Sequence, residues 1–265
     1  MKSNKKLLVI GGIALLLVIG GVGGFLAFNQ KGGEETAKNT ETVEPEEGYL
    51  PNAKDSYDKA KADNVKDADE LFDVEIDFEG LKQTNPDVVG WIKIPGTNID
   101  YPVLQSKEEE DNYYLERTID GQVGLPGSIY MEKYDASDFS DNISIIYGHT
   151  LHDGTMFSEL KKYRDKEFFD ENPYIYIYYP DGVKKYQLFA TVAFDDRYLV
   201  MSYAFTYDED FNKYISDLKA CMDGNVNSDL DVKFGDSIVT LSTCIDEFPD
   251  QRWLVNGVLV DEKRY

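Results

Sequence analysis

Histidine and cysteine are scarce in this chain. There are two histidines, His149 and His152, and two cysteines, Cys221 and Cys244. Two cysteines cannot build the disulfide framework of a small secreted domain, although one Cys221–Cys244 bridge stays open as an alternative. Zinc-finger spacing is missing, and the acidic clusters lack a Ca²⁺-loop pattern, so no metal and no cofactor is assigned. Positive charge is short as well. Lys and Arg number 27 against 50 Asp and Glu, a net charge of −23. Neutralising phosphates requires a basic face, so nucleic acid is excluded as a partner. The same acidity disfavours tight docking of the body on anionic lipid. Internal repeats are absent too.

What is present is enough for a folded body. The chain has 265 residues, 42% of them hydrophobic, which fits one domain with appendages or two small domains. Its 19 tyrosines and 14 phenylalanines favour strands. Residues 7–28 carry no charge and follow Lys2, Lys5 and Lys6. As a helix they would span roughly 33 Å at about 1.5 Å per residue, enough to cross a bilayer. The leading lysines and the acidic sequence that follows place the N-terminus in the cytoplasm and the remainder outside. A cleaved signal peptide is the alternative. The expected organisation is therefore a cytoplasmic tip and transmembrane anchor over 1–28, an extracellular spacer over 29–70 and a folded domain over 71–265. Within the spacer, 53–70 reads as a short surface helix or a frayed extension.

Beyond residue 71 the pattern predicts a helix over 76–85, stopped by Asn85 and Pro86. Strands are predicted at 88–94, 99–104, 128–131, 143–147, 174–179, 186–194, 198–201, 237–243 and 252–260, separated by Pro-Gly, Asp-Gly and Asn-Gly pairs. Helical insertions are predicted at 108–116, 155–163 and 208–222. Such a mostly β chain with added helices points to a closed barrel of about eight strands, with a sandwich as its competitor.

Three residues stand where chemistry is accessible. Cys244 ends an apolar run and faces an acidic loop (Asp246, Glu247, Asp250). His149 stands at the mouth of a second apolar run, IIYGHT at 145–150. Arg252 opens the last strand, a seven-residue loop after Cys244, close enough for the two side chains to be neighbours. A thiolate is the reactive form of cysteine. Imidazole exchanges protons near neutral pH, and guanidinium keeps a charge that can stabilise an oxyanion. Together they suit acyl transfer through a thioester. Each alone has a bland reading: a small buried hydrophobe, a loop histidine, a solvated strand-end arginine. His152, in a plain turn, is a rival for the histidine role.

The run TLSTC at 240–244 resembles the TLxTC signature of sortases, cysteine transpeptidases of Gram-positive surfaces. YGH at 147–149 and Arg252 are similar to that family's histidine and arginine segments. NPDVVGWIKI at 85–94, TNIDYPVLQ at 97–105, DNYYL at 111–115, Met156-Phe157 and the insertion at 208–222 resemble class B. The resemblance covers about residues 71–262. It implies an eight-stranded sortase barrel with Cys244 as nucleophile, His149 as acid and base, and Arg252 as holder of substrate and oxyanion. Ser242 and Thr243 would line the substrate groove, with Asn112 and Leu115 as further groove candidates. The implied partners are secreted proteins bearing a C-terminal sorting motif of Asn-Pro-x-Thr or Leu-Pro-x-Thr type. The implied acceptor is a peptidoglycan precursor or a pilin lysine amine. A non-catalytic anchored adhesion domain and a hydrolytic cysteine protease are the competing readings.

Overall fold

The computed structural model describes residues 47–265. The anchor expected over 7–28 lies outside the described residues, among which no helix is long and apolar enough to cross a membrane. The described chain opens with α1 (Ala53–Asn64), the two-residue strands β1 (Val65–Lys66) and β2 (Glu75–Ile76), and α2 (Phe78–Thr84). The strands β3 (Val88–Lys93), β4 (Asp100–Leu104), β5 (Ile129–Met131) and β6 (Ile143–Tyr147) follow. Next come α3 (Lys166–Glu171), β7 (Tyr174–Tyr179), β8 (Gly182–Asp195), α4 (Leu199–Ser202) and α5 (Asp208–Ala220). The last strands are β9 (Gly224–Val226), β10 (Ile238–Ile245) and β11 (Phe248–Arg264).

Strands pair in the order β11-β10-β6-β5-β4-β3-β7-β8, and β8 pairs again with β11. Eight strands thus close into a barrel, which removes exposed sheet edges and settles the choice against a sandwich. β9 hangs on β8 outside the ring. Side chains alternate along each strand, and the alternation separates two cores. Val239 and Leu241 of β10 join the cluster that also holds Trp91, Ile146, Tyr186 and Trp253. Ile238 of β10 and Leu254 of β11 join a second cluster with Phe211, Tyr214, Ile215 and Leu218 of α5. Those four α5 positions recur at one-turn spacing, the stripe of an amphipathic helix. Each such side chain contributes roughly 1.5–3 kcal/mol on burial, before entropy costs. Asp208, Glu209 and Asp210 in the first turn and Lys219 in the last suit the helix dipole.

Most predicted strands are found within a few residues of their expected places. The exception is 198–201, which forms the helical turn α4 with Leu199 buried and Met201 80% exposed. Both sides of β8 are already paired, with β7 and β11, so no barrel position remains for another strand. The helices predicted at 108–116 and 155–163 shrink to 3₁₀ turns at Tyr113–Glu116 and Ser158–Arg164. In the second case Met156 has φ 53° and Ser158 Oγ accepts from Leu151 N at 2.7 Å. A left-handed residue and a side chain bound to backbone both compete with helix formation. The 53–70 region contains a true helix, α1, whose Tyr57 and Ala60 join the main core. Cys221 and Cys244 are both free, so the disulfide alternative fails.

Candidate active site

The cleft lies on the outer face of β5, β6, β10 and β11, beyond the end of the α5 cover. Register builds it. Cys244 of β10 pairs with Arg252 of β11, and Ser242 pairs with Leu254. Tyr147 of the parallel neighbour β6 stands beside Ser242, and Tyr130 of β5 pairs with Tyr147. The result is a row, Tyr130–Tyr147–Ser242–Leu254, across four strands. Cys244 and Arg252 stand two residues further along the same face. A cleft of about 590 Å³ covers this surface, and Cys244, His149, Arg252, Ser242, Thr243, Asn112 and Leu115 all border it. His152 is exposed and does not line the cleft.

The seven-residue loop expected between Cys244 and Arg252 is replaced by a tighter hairpin. Ile245 already pairs with Phe248, and the register shifts between Cys244 and Ile245. The shift leaves residues 249–251 as a bulge on β11, a device that re-aims side chains at strand ends. Cys244 is therefore the last regular pair on β10, and it is exposed. The Arg252 guanidinium is held by the bulge. Its Nη1 donates to the carbonyls of Pro249 at 3.0 Å and Gln251 at 2.8 Å. Nε and Nη2 make no hydrogen bond to the described residues, leaving three N–H donors of the planar fork.

His149 follows β6 after Gly148 and is clamped on both sides. Thr243, on the opposite face of β10 from Cys244, donates its hydroxyl to the Gly148 carbonyl at 2.7 Å. Thr150 Oγ1 donates to the Cys244 carbonyl at 2.9 Å and lies 2.8 Å from Thr243 Oγ1. The two threonines thus tie the histidine's neighbours to the cysteine strand. The Thr243 hydroxyl is spent on this clamp. The His149 ring is fixed separately: Nε2 lies 2.7 Å from the Leu115 carbonyl. A carbonyl only accepts, so Nε2 carries the proton and Nδ1 is the nitrogen left to exchange one. Gly127, at φ 63°, makes room for this contact, since a Cβ there would sit 2.0 Å from the Leu115 oxygen. Gly148 is squeezed between Ile129 and Phe157, where a Cβ would come within 2.4 Å of Ile129.

The far end of the cleft is acidic and aromatic. Glu132 is buried, and Tyr198 donates to its Oε2 at 2.7 Å. Burial pushes the Glu132 carboxyl up, against the hydrogen bonds of Tyr198 and Tyr147. Burial likewise raises the phenols of Tyr130 and Tyr147, with Glu132 adding to both. Behind them the Asp135 carboxyl is pushed up to about 7, chiefly by burial, although Ile145 N donates to it at 3.2 Å. Among the described residues, no group of three or more His, Cys, Asp or Glu is arranged to hold a metal ion.

Sequence reasoning missed Thr150, Tyr130, Tyr147 as a wall residue, and Glu132. Tyr130 and Glu132 are two residues apart in a β run, which would place them on one face. Which strands flank β5 was not readable from spacing.

Comparison with known proteins agrees with this geometry. The sortase domain family matches residues 92–260. Sortase B of Listeria monocytogenes is 34% identical over 210 residues, covering 77% of this chain and 83% of that protein. The structure of sortase B from B. anthracis in complex with AAEK1 superposes with a TM-score of 0.66 at 28% identity, over 78% of this chain and 96% of that one. A Staphylococcus aureus sortase B–substrate complex gives 0.61 at 31% identity, over 69% and 84%.

Proposed function

The chain belongs to the sortase family as a class B cysteine transpeptidase, and from that premise we propose that it cleaves a C-terminal sorting signal after threonine and passes the acyl part to an amine. The Cys244 thiolate attacks the threonine carbonyl, and the C–S bond forms. Collapse breaks the C–N bond, and the departing amine takes a proton through His149 Nδ1. An incoming amine returns a proton to that nitrogen, attacks the thioester and expels the thiolate. The free N–H donors of Arg252 face the developing oxyanion and the peptide. Ser242, Asn112 and Leu115 border the groove that holds the signal, and Thr243 acts by fixing the histidine loop. The observation that carries this reading is the Cys244–Arg252 cross-strand pair beside a histidine tied to the same strand.

The proposed donors are secreted proteins with a sorting motif of Asn-Pro-x-Thr type, and Leu-Pro-x-Thr is the competitor. The acceptor is a peptidoglycan-precursor amine or a pilin lysine. The uncharged run at 7–28 behind three lysines supports a single-pass anchor with the catalytic domain outside the membrane. There it would meet substrates as they emerge. Intact-mass analysis of the full chain with a panel of sorting peptides tests the reading. A thioester adduct on native protein, absent from Cys244→Ala and discharged by an added amine, is the expected result. Peptide cleavage that no amine can divert points to a hydrolase instead. No adduct and no cleavage with any peptide would favour a non-catalytic surface domain.

A further inference from the structure

The acyl-transfer steps leave the Glu132 end of the cleft without a role. Tyr130 stands level with Ser242 through Tyr147, and β5 runs away from the Cys244 end, so Glu132 lies deeper than Tyr130. Both line the cleft and are nearly buried, at 4% exposure for Glu132 and 6% for Tyr130. The Tyr130 ring stacks on Tyr147 with centroids 5.5 Å apart, but its hydroxyl makes no hydrogen bond to any described residue. Tyr198, which donates to Glu132, also reaches Asp111 Oδ2 at 3.2 Å. The nearby cations are engaged elsewhere. Arg197 pairs with Asp195. Lys133 donates to the Glu109 carbonyl and forms an ion pair with Asp111 Oδ1 at 3.9 Å. Among the described residues, Glu132 has no Lys or Arg partner.

A buried carboxylate without a counter-ion is costly. This one is ringed by electron-rich groups: a second carboxylate, three phenol oxygens and two stacked aromatic faces. An anion would be repelled, and an apolar side chain would leave Glu132 without a counter-ion and the Tyr130 hydroxyl without a partner. A cation would pair with Glu132, donate hydrogen bonds to the phenol oxygens and lie against ring faces.

We propose that this end of the cleft is a subsite for a cationic side chain, a primary ammonium or a guanidinium, carried by one of the two reactants. The proposal rests on the transpeptidase reading above. Because Glu132 lies deeper than Tyr130, the bound cation is a spectator and not the reacting amine. It selects which peptide or which acceptor is used.

Two arms with the full chain distinguish the sources. The first measures thioester formation for sorting peptides that differ only by lysine or norleucine at each variable position. The second measures discharge of one common thioester by lysinamide or norleucinamide. The expected result is a roughly tenfold preference for the cationic member in one arm, weakened by salt. Glu132→Gln should bring that ratio near one, and Tyr130→Phe should reduce it in part. Preference in the first arm assigns the cation to the sorting peptide, and in the second to the acceptor. Ratios that both variants leave unchanged, with melting temperatures retained, overturn the subsite alone. Should Glu132→Gln not fold, Tyr130→Phe decides by the same criterion. Failure of every peptide to form a thioester overturns the transpeptidase reading and the subsite with it.

Discussion

Beneath α5, the Tyr214 hydroxyl donates to Asn256 Oδ1 at 3.0 Å, Thr240 Oγ1 reaches the same oxygen at 2.8 Å, and Asn256 Nδ2 donates to the Ala190 carbonyl at 3.1 Å. Two residues along β10, where the helix no longer covers the sheet, the polar groups change character. The Tyr130 hydroxyl makes no hydrogen bond to the described residues, and Cys244 is exposed. Both clusters lie on the outer face of one sheet and meet at β10. A helix laid on one half forces polar groups there to satisfy one another, because unpaired buried groups cost about 1–3 kcal/mol each. The uncovered half keeps unpaired groups that a ligand can use. On this barrel, the site is the part of the sheet face that α5 does not cover.

Breaking the open half at its nucleophile has the largest effect. Cys244→Ala should lower transfer by more than about 10³-fold while stability stays within about 0.5 kcal/mol, as for an exposed side chain. Loss of fold in a melting curve would contradict this separation. Next is Asp135, behind the open cluster. Its folded carboxyl titrates at about 7, against roughly 3.9 when unfolded. Between these values the folded state holds a proton that the unfolded chain has lost, so stability is greatest below pH 4 and falls as pH rises to 7. The contribution is on the order of 1.4 kcal/mol per pH unit at most. Glu132 and Asp141 reinforce the shift and Lys107 opposes it. Denaturant titrations from pH 4 to 8 should show that slope in the native protein and lose most of it in Asp135→Asn.

Thr150→Val tests the clamp between the halves of the catalytic pair. It should cut kcat about 10- to 100-fold with little change in KM, because positioning is lost and binding is not. Thr150→Ser should restore most of the rate; an equal loss in both variants would mean that the hydroxyl is not the working part. The smallest effects sharpen the comparison of clusters. Tyr214→Phe should cost about 1–2 kcal/mol without changing turnover. Tyr130→Phe should change stability by less than about 0.5 kcal/mol, since its hydroxyl has no protein partner to lose. Equal destabilisation would erase the distinction between satisfied and open halves.

Much of this was legible from residues alone. The apolar run at 143–147 and the alternation in 174–179 mark strands that the fold contains with those bounds. Cys244 at a strand end and Arg252 at the next strand's start pointed to a pair, and register makes them direct neighbours. The errors share a cause. Residues 198–201 have strand-forming side chains but no barrel edge to join, and 155–163 contains a left-handed Met156 that no local propensity reveals. Tyr57 looked like part of a frayed extension because its partners, Gly127 and Ser128, lie about seventy residues away.

The sequence by itself determined the acidic, mostly β character of the chain, its uncharged N-terminal run and the identity of the thiol, imidazole and guanidinium available for chemistry. These follow from composition, periodicity and local order, which need no partner in space. Only the tertiary structure decided that β6 lies parallel beside β10, that Thr150 reaches the Cys244 carbonyl, and that Leu115 fixes the His149 tautomer. Barrel closure brings together segments 34 to 94 residues apart, and no local propensity encodes which of them meet.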